Sequence, residues 1–562
     1  MNKKWQFYNA DEDIIENISK KFNLNRLLSQ IIVNRNIGTE EDIRIFLNPT
    51  RKDFNDPFLF KDMNIAVERI IKAINNNEKV VIYGDYDVDG ITSTTVLKKY
   101  LEERGLIVDT YIPNRLDEGY GLNRDAIDKI YKNNNTLIIT VDCGISAIDE
   151  INYANSLGIE TIVTDHHEAG EELPNAIAVI DAKRKDNTYP FRGLAGVGVV
   201  FKLIQAISVK LNLEEKEFLK YLDIVCVGTI SDIVPLENEN RVIAKLGLKL
   251  LEVTKNLGLR ELIKTIGYRK IDSNAISFGI APRINACGRM GHEEEALKLF
   301  LSEDEEEVKQ ITANLNEYNK LRQETEKKIY DEAIKKINEE HLDKANSIVV
   351  AGDNWHHGVI GIVSSKVTEL YFKPSILLGI EGDIAKGSGR SIPGFDLHDA
   401  LYECEDLLEK YGGHEMAVGL SLKTENYNKF KQKFEEVAKN KKIEEILPII
   451  YIDGQITLKD MNKETVEALE LLEPFGEGNK MPLFLYKNLK IDSIRALTEG
   501  KHLKLTLKDT NYIINAIGFN MGHLVNEYLI GDKVDIVGVL EINNYNGNET
   551  IQINLKDIMK SI

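Results

Sequence analysis

The stretch Gly84-Asp85-Tyr86-Asp87-Val88-Asp89-Gly90 sets three carboxylates at alternate positions and closes them with a glycine. Like charges crowded in this way are costly unless a cation sits among them. D-x-D-x-D-G also begins a calcium loop, but that loop needs a bidentate Glu at its twelfth position. Counting from Asp85, the twelfth residue is Val96, which has no side-chain oxygen. The flanks differ too, because the preceding KVVIY is short and β-branched, as a buried strand would be. ITSTTVLKKYLEERG, which follows, has hydroxyls at a helix start, apolar residues at helical spacing and Gly105 beyond its end. The segment reads as a strand feeding acidic ligands into a helix.

The same device recurs downstream. KVVIY, LIVDTYI, TLIITV, ETIVT and AIAVI alternate with helix-like stretches, the spacing of βαβ units in a mostly parallel sheet. Active residues of such a sheet gather beyond the carboxyl ends of its strands. TLIITV leads to Asp142-Cys143-Gly144, ETIVT to Asp165-His166-His167, and IVCVGTIS to Asp232. Taken singly, D-C-G is an ordinary turn and H-H an ordinary surface pair; four such endings at one sheet edge are not. Carboxylates with imidazole and no thiolate favour Mn2+ or Mg2+ over structural zinc. Two ions about 3.5–4 Å apart would activate water and clamp a phosphoryl group. His166 and His167 cannot point the same way on extended backbone, so one is expected to ligate and the other to support or donate to phosphate.

The rest of the 562-residue chain divides by pattern. Residues 1–55 form a lead segment with helical spacing, and 56–302 carry the alternating strands and helices. Residues 303–344 read as a long charged helix with a stripe of Val308, Ile311, Leu315, Tyr318 and Leu321. A second α/β unit is expected over 345–445, and strand-like runs over 446–562 suggest a small β-barrel of the oligonucleotide-binding type. The fold class is therefore α/β with a C-terminal barrel. No apolar run reaches the ~18 residues of a membrane span, no h-region follows the first lysines, and four scattered cysteines suit a reducing cytoplasm. The net charge of −19 argues against a nucleic-acid partner on its face. Between Lys480 and Lys508, however, seven Lys and Arg face only Asp492 and Glu499, with Phe484, Tyr486 and Tyr512 in or beside them. Cations interleaved with aromatics suit single-strand binding.

GDYDVDG, VDCG, TDHH, GTISDIVPL, APRINACGRM, WHHGVIGIV, GSGRS and GGHEMAVG occur in order between residues 84 and 419. The chain resembles the DHH phosphoesterase superfamily and, within it, the RecJ family of bacterial single-strand-specific exonucleases. The resemblance implies a DHH domain, a DHH-associated domain and an oligonucleotide-binding (OB) fold. It implies metal ligands at Asp87, Asp89, Asp142, His166 and Asp232, with His167 beside them and Asp85 in outer support. It places Arg283, His356, Ser388, Arg390 and His414 toward nucleotide phosphates across a cleft. GSGRS alone would be a hairpin turn, Gly412-Gly413 a helix-ending turn, and His356 a residue packed by Trp355. The implied activity is 5′-to-3′ removal of mononucleotides from single-stranded DNA in repair and recombination, with a single-strand-binding protein and a helicase as partners. Two alternatives are a DHH phosphodiesterase of short oligoribonucleotides or cyclic dinucleotides and a non-catalytic single-strand scaffold. The barrel weighs against the first, and the intact ligand set against the second.

Overall fold

The computed structural model describes residues 3–115, 117–545 and 548–561. The chain forms two compact units, one of residues 55–232 and 247–448, the other of 1–54, 233–246 and 449–562. No helix among the described residues is long and apolar enough to cross a membrane.

In the first unit, β1 (Lys79–Tyr83), β2 (Ile107–Tyr111), β3 (Leu137–Val141), β4 (Glu160–Thr164) and β5 (Ala178–Ile180) form an all-parallel sheet in the order β2-β1-β3-β4-β5. β3 is buried at every position, as a central strand covered on both faces must be. Helix α1 (Val88–Glu102) follows the acidic loop and packs against α2 (Gly196–Lys210) and α3 (Leu222–Ser231). α3 is buried from Leu222 to Ile230, consistent with its continuous apolar sequence, and delivers Asp232 at its C-terminal end.

Beyond these lie α4 (Ala281–Met290) and the long α5 (Glu305–Glu339), capped by Asp304. α5 runs as the charge pattern predicts, but its buried stripe differs from the expected one. After Val308, Ile311 and Leu315 it continues through Asn319 and Glu326, and Leu321 is 48% exposed. Leu321 lies six residues past Leu315, roughly 120° off the stripe at 3.6 residues per turn. The buried polar positions are satisfied by Arg322, which donates to Asn319 Oδ1 (2.6 Å) and Glu326 Oε2 (2.6 Å).

α5 packs against α6 (His357–Tyr371), which covers a second sheet. Its strands are β6 (Ile348–Asp353), β7 (Ser375–Glu381), β8 (Ile384–Arg390), β9 (Lys410–His414) and β10 (Ala417–Lys423), in the order β9-β10-β8-β7-β6. GSGR is therefore the end of a central strand and not a hairpin turn. A Cβ on Gly387 would lie 2.5 Å from Leu378 Cδ2 and one on Gly389 2.8 Å from Val418 Cγ2. Strand alternation thus sends the two glycines into the core and Ser388 and Arg390 to the opposite face. Gly412-Gly413 also lies within a strand, β9, and does not end a helix.

The second unit contains β11 (Phe484–Leu497), β12 (His502–Lys508), β13 (Ile513–Gly518), β14 (Lys533–Tyr545) and β15 (Asn548–Lys560). They close as β11-β12-β13-β15-β14-β11, a five-stranded barrel. β12 alternates Leu503, Leu505 and Leu507 inward with Lys504, Thr506 and Lys508 outward. Phe484 and Tyr486, expected as stacking aromatics, belong instead to the barrel core with Leu489 and Ile491. Tyr512 is exposed. The lead segment shares that core through Ile18, Leu28, Ile31 and Phe46, and its strand Lys4–Phe7 pairs in parallel with Ile449–Ile452. The sequence pattern carried no sign of either contact.

Candidate active site

The acidic loop works because a helix begins inside it. Asp87 caps α1, its Oδ1 accepting the Gly90 amide at 3.1 Å. Asp89 lies in the first turn, 1% exposed, and accepts the Gly196 and Val197 amides of α2 at 2.6 and 2.8 Å. A carboxylate at a helix N-terminus is both hydrogen-bonded and favoured by the helix dipole. Gly90 is obligatory, since a Cβ there would sit 2.4 Å from the Asp85 carbonyl oxygen. Asp142, directly after β3, adopts a left-handed backbone (φ 61°). Its side chain packs where a Cβ on Gly196 would lie, 2.8 Å from Asp142 Oδ1.

The two histidines diverge. His166 Nε2 faces the carboxylates, 3.0 Å from Asp142 Oδ1, 3.8 Å from Asp89 Oδ2 and 3.7 Å from Asp232 Oδ2. A backbone interaction with Leu194 favours the charged form of this ring, without offsetting its burial. His167 is held from outside the cage, its Nδ1 2.7 Å from Asp165 Oδ1 and 3.2 Å from the Tyr120 hydroxyl. Burial pulls the His167 imidazole down, but the Asp165 bond and charge outweigh it and raise its pKa. Asp165 is held below the usual carboxylate range despite burial, by His167 and by the Ile145 amide at 2.9 Å.

Asp85, Asp87 and Asp142 can place oxygens within 4.8 Å of one another, and ligand atoms of Asp89, His166 and Asp232, and of Asp142, His166 and His167, come equally close. Asp85 Oδ1, Asp142 Oδ1 and His166 Nε2 are buried without hydrogen-bond partners. Lone pairs facing lone pairs suit a shared cation. The titration behaviour agrees. Burial, and then neighbouring carboxylates, push Asp85 and Asp142 well above the usual range, Asp89 up to about 7 and Asp232 up to about 9. Burial lowers His166 to about 3. Oxygen-rich donors with one imidazole fit Mn2+ or Mg2+, and two non-overlapping triads leave room for two ions.

Beside the acids lies a set of arginines. Burial lowers Arg289 to about 10, and Arg115, Arg322 and Arg390 repel it further, while Asp87 attracts it. Arg289 donates to the Gly358 carbonyl at 2.8 Å, and Arg390 to Ser388 Oγ at 2.9 Å. Arg115 lies over the Tyr86 ring at 4.9 Å. Gly361 makes room for the Arg390 and Ser388 tips, each 3.1 Å from where its Cβ would be. Of these guanidiniums only Arg322 has a carboxylate partner among the described residues, Glu326. Crowded, half-desolvated cations of this kind suit a phosphate.

Family models match three stretches of the chain: the DHH family N-terminal domain over residues 79–229, the DHHA1 domain over 344–440 and the RecJ OB domain over 452–557. The single-stranded-DNA-specific exonuclease RecJ of Bacillus subtilis is 40% identical over 560 residues, 99% of this chain and 70% of the relative. The chain belongs to the RecJ family. The Thermus thermophilus relative is 33% identical over 91% of this chain and 73% of its own. A crystal structure of RecJ in complex with Mn2+ from Thermus thermophilus superposes with a TM-score of 0.86 at 28% identity, covering all of this chain and 80% of that one. RecJ membership makes this chain a DHH hydrolase with a barrel of the RecJ OB type.

The structure gathers Asp87, Asp89, Asp142, His166 and Asp232 in this RecJ site and adds Asp85 as a direct neighbour of Asp87 and Asp142. It brings Ser388 and Arg390 to the arginine cluster. His356 caps α6, accepting the Gly358 amide at 3.1 Å, and feels Arg115. His414 is exposed at the end of β9, level with Arg390 but two strands away. Arg283 is turned elsewhere, donating to Asn316 Oδ1 and the Gly279 carbonyl, both at 2.7 Å. Arg115, Arg289 and Arg322 escaped the sequence reading. Arg115 follows β2, so the rule that found the acids, applied to cations, would have found it.

Proposed function

We propose that this chain is a divalent-metal-dependent exonuclease that removes mononucleotides from the 5′ end of single-stranded DNA. The observation that carries this reading is the buried acid–imidazole cage with its orphaned lone pairs, directly beside a cluster of under-compensated arginines. Asp87, Asp89, Asp142, His166 and Asp232 would hold Mn2+ or Mg2+, with Asp85 alongside. When bound, the cations supply Lewis acidity toward the scissile phosphate and a nucleophile from water. The amides of α2 fix Asp89. Asp165 favours the charged form of His167, a donor beside the cage that suits a phosphate oxygen.

A DNA strand carries its terminal phosphate at the 5′ end, and a terminal monoester bears more charge than an internal diester. Arg115, Arg289, Arg390 and Ser388 suit that group, which supports 5′-end selection. The barrel supports a single-stranded substrate. Arg495 lies opposite Lys504, both with side chains outside the barrel core, whereas Lys508, opposite Lys490, is paired with Asp492. Like charges paired across strands are unfavourable alone and are relieved by a polyanion. The single-stranded-DNA specificity in the relatives' names points the same way. We place the activity in the cytoplasm, in repair and recombination, with a helicase and a single-strand-binding protein preparing the substrate.

The test is nucleotide release from single-stranded and duplex DNA by chelator-treated protein before and after Mn2+ or Mg2+ is restored. Metal-dependent release confined to the single strand is expected. Release without metal, or equal release from the duplex, contradicts the reading.

A further inference from the structure

Before α4 the chain forms one π-helix, Ala275–Ile280, an uncommon element that re-aims side chains. It leaves Phe278 71% exposed, and no large hydrophobic residue among the described residues is more exposed. Tyr268 is 42% exposed. A Cβ on Gly279, the residue after Phe278, would sit 3.2 Å from Tyr268 Cε2, so the glycine leaves room for that ring. Arg269 is exposed beside Tyr268. Arg283, one turn on, donates to the Gly279 carbonyl and feels the Tyr268 hydroxyl. The nearby acid Asp272 is turned inward, accepting the Ala275 amide at 2.9 Å.

This patch is joined to the site at both ends. The π-helix packs against α3, which ends on Asp232. It also runs directly into α4, where Asn285 accepts the Val88 amide of the acidic loop and Arg289 enters the arginine cluster. From Phe278 to Arg289 is eleven residues, about 16 Å at helical rise. Two exposed aromatic rings flanked by two guanidiniums have the chemistry of a single-strand track, in which bases stack and cations meet phosphates.

We propose that Phe278 and Tyr268 form a base-stacking platform for single-stranded DNA outside the catalytic cleft, with Arg269 and Arg283 meeting the adjoining phosphates. The proposal deepens the exonuclease reading and rests on it. The platform engages nucleotides beyond those held in the cleft, so its contribution grows with strand length.

The test measures binding of a 5′-phosphorylated trinucleotide and a 20-nucleotide strand by fluorescence anisotropy, without added metal. The variants are F278A, F278L, F278W and the double variant F278A/Y268A. The double variant is expected to weaken 20-mer binding about 5- to 100-fold, the range for loss of base–aromatic stacking, and trinucleotide binding less than about twofold. F278W is expected to keep 20-mer affinity and F278L to lose it. Unchanged 20-mer affinity in the double variant, equal losses on both strands, or full affinity in F278L overturns the platform. Metal-dependent degradation by the wild-type protein is measured in parallel. Its absence refutes the exonuclease reading itself, whereas its presence with unaltered variant binding refutes only the platform.

Discussion

Gly196→Ala places one methyl group at the point where Asp142 and Asp89, two of the proposed metal ligands, meet. The added Cβ would lie 2.8 Å from both Cβ and Oδ1 of Asp142 and 3.0 Å from its Cγ. Ordinary contact begins near 3.4 Å, so about 0.6 Å must be found. If Asp142 retreats, a ligand leaves its place opposite His166 Nε2, now 3.0 Å away. If the Gly196 backbone retreats instead, its 2.6 Å hydrogen bond to Asp89 lengthens and the other ligand shifts. Overpacking of this kind costs ~1–3 kcal/mol, partly offset by up to ~1 kcal/mol of helix propensity for Ala over Gly. The net stability loss is therefore modest, while a site displaced by a large fraction of an ångström loses ~10- to 100-fold in rate. The assay pairs initial rates of nucleotide release in Mn2+ with calorimetric Mn2+ binding and thermal unfolding. Gly38→Ala is the control, since a Cβ there meets nothing within 4 Å. Wild-type rate and Mn2+ affinity in Gly196→Ala would refute the claim that this contact sets the ligand geometry.

Arg289→Ala is expected to raise KM for a 5′-phosphorylated strand ~10- to 100-fold, from loss of a charge-assisted contact; preference over a 5′-hydroxyl strand, measured in competition, should fall with it. Metal-free Asp89 and Asp232 have pKa values raised to about 7 and about 9, so the folded apo protein holds more protons than the unfolded chain. Apo stability should therefore fall as pH rises from the ordinary carboxylate range through those values, and Mn2+ should reverse the fall with release of protons, seen by calorimetry in two buffers. Arg241→Ala is expected to destabilise the barrel unit by ~3 kcal/mol or more, because buried acceptors lose their partner. That guanidinium donates to carbonyls of Phe46, Leu472, Glu473 and Pro474, and chemical unfolding followed through the barrel reads the loss. Lys504→Ala should weaken single-strand binding and reduce its salt slope by about one, since it removes one phosphate contact.

The metal cage was legible because strand endings leave a local mark. A β-branched run followed by Asp or His states both where the chain stops and what it presents, as at Asp142 and His166. The arginine cluster was less legible. Arg115 follows a strand and was open to the same rule, but Arg289 and Arg322 lie within helices, where no local spacing distinguishes them from solvated cations. GSGRS read as a turn because glycine permits turns; here its glycines answer to Leu378 and Val418, contacts made across strands. Phe484 and Tyr486 looked like stacking residues because they neighbour lysines. Burial depends on which face of the strand closes inward, and barrel closure sets that. The partnership of Lys4–Phe7 with Ile449–Ile452 spans nearly the whole chain and leaves no periodic trace.

The central claim is tested most directly with a single strand labelled at one end or the other, incubated with Mn2+ and the wild-type, Asp87→Ala or Asp232→Ala protein. The wild type is expected to release labelled mononucleotide first from the 5′-labelled strand, and both variants almost none. Release beginning at the 3′ end, or undiminished release by either variant, contradicts the claim.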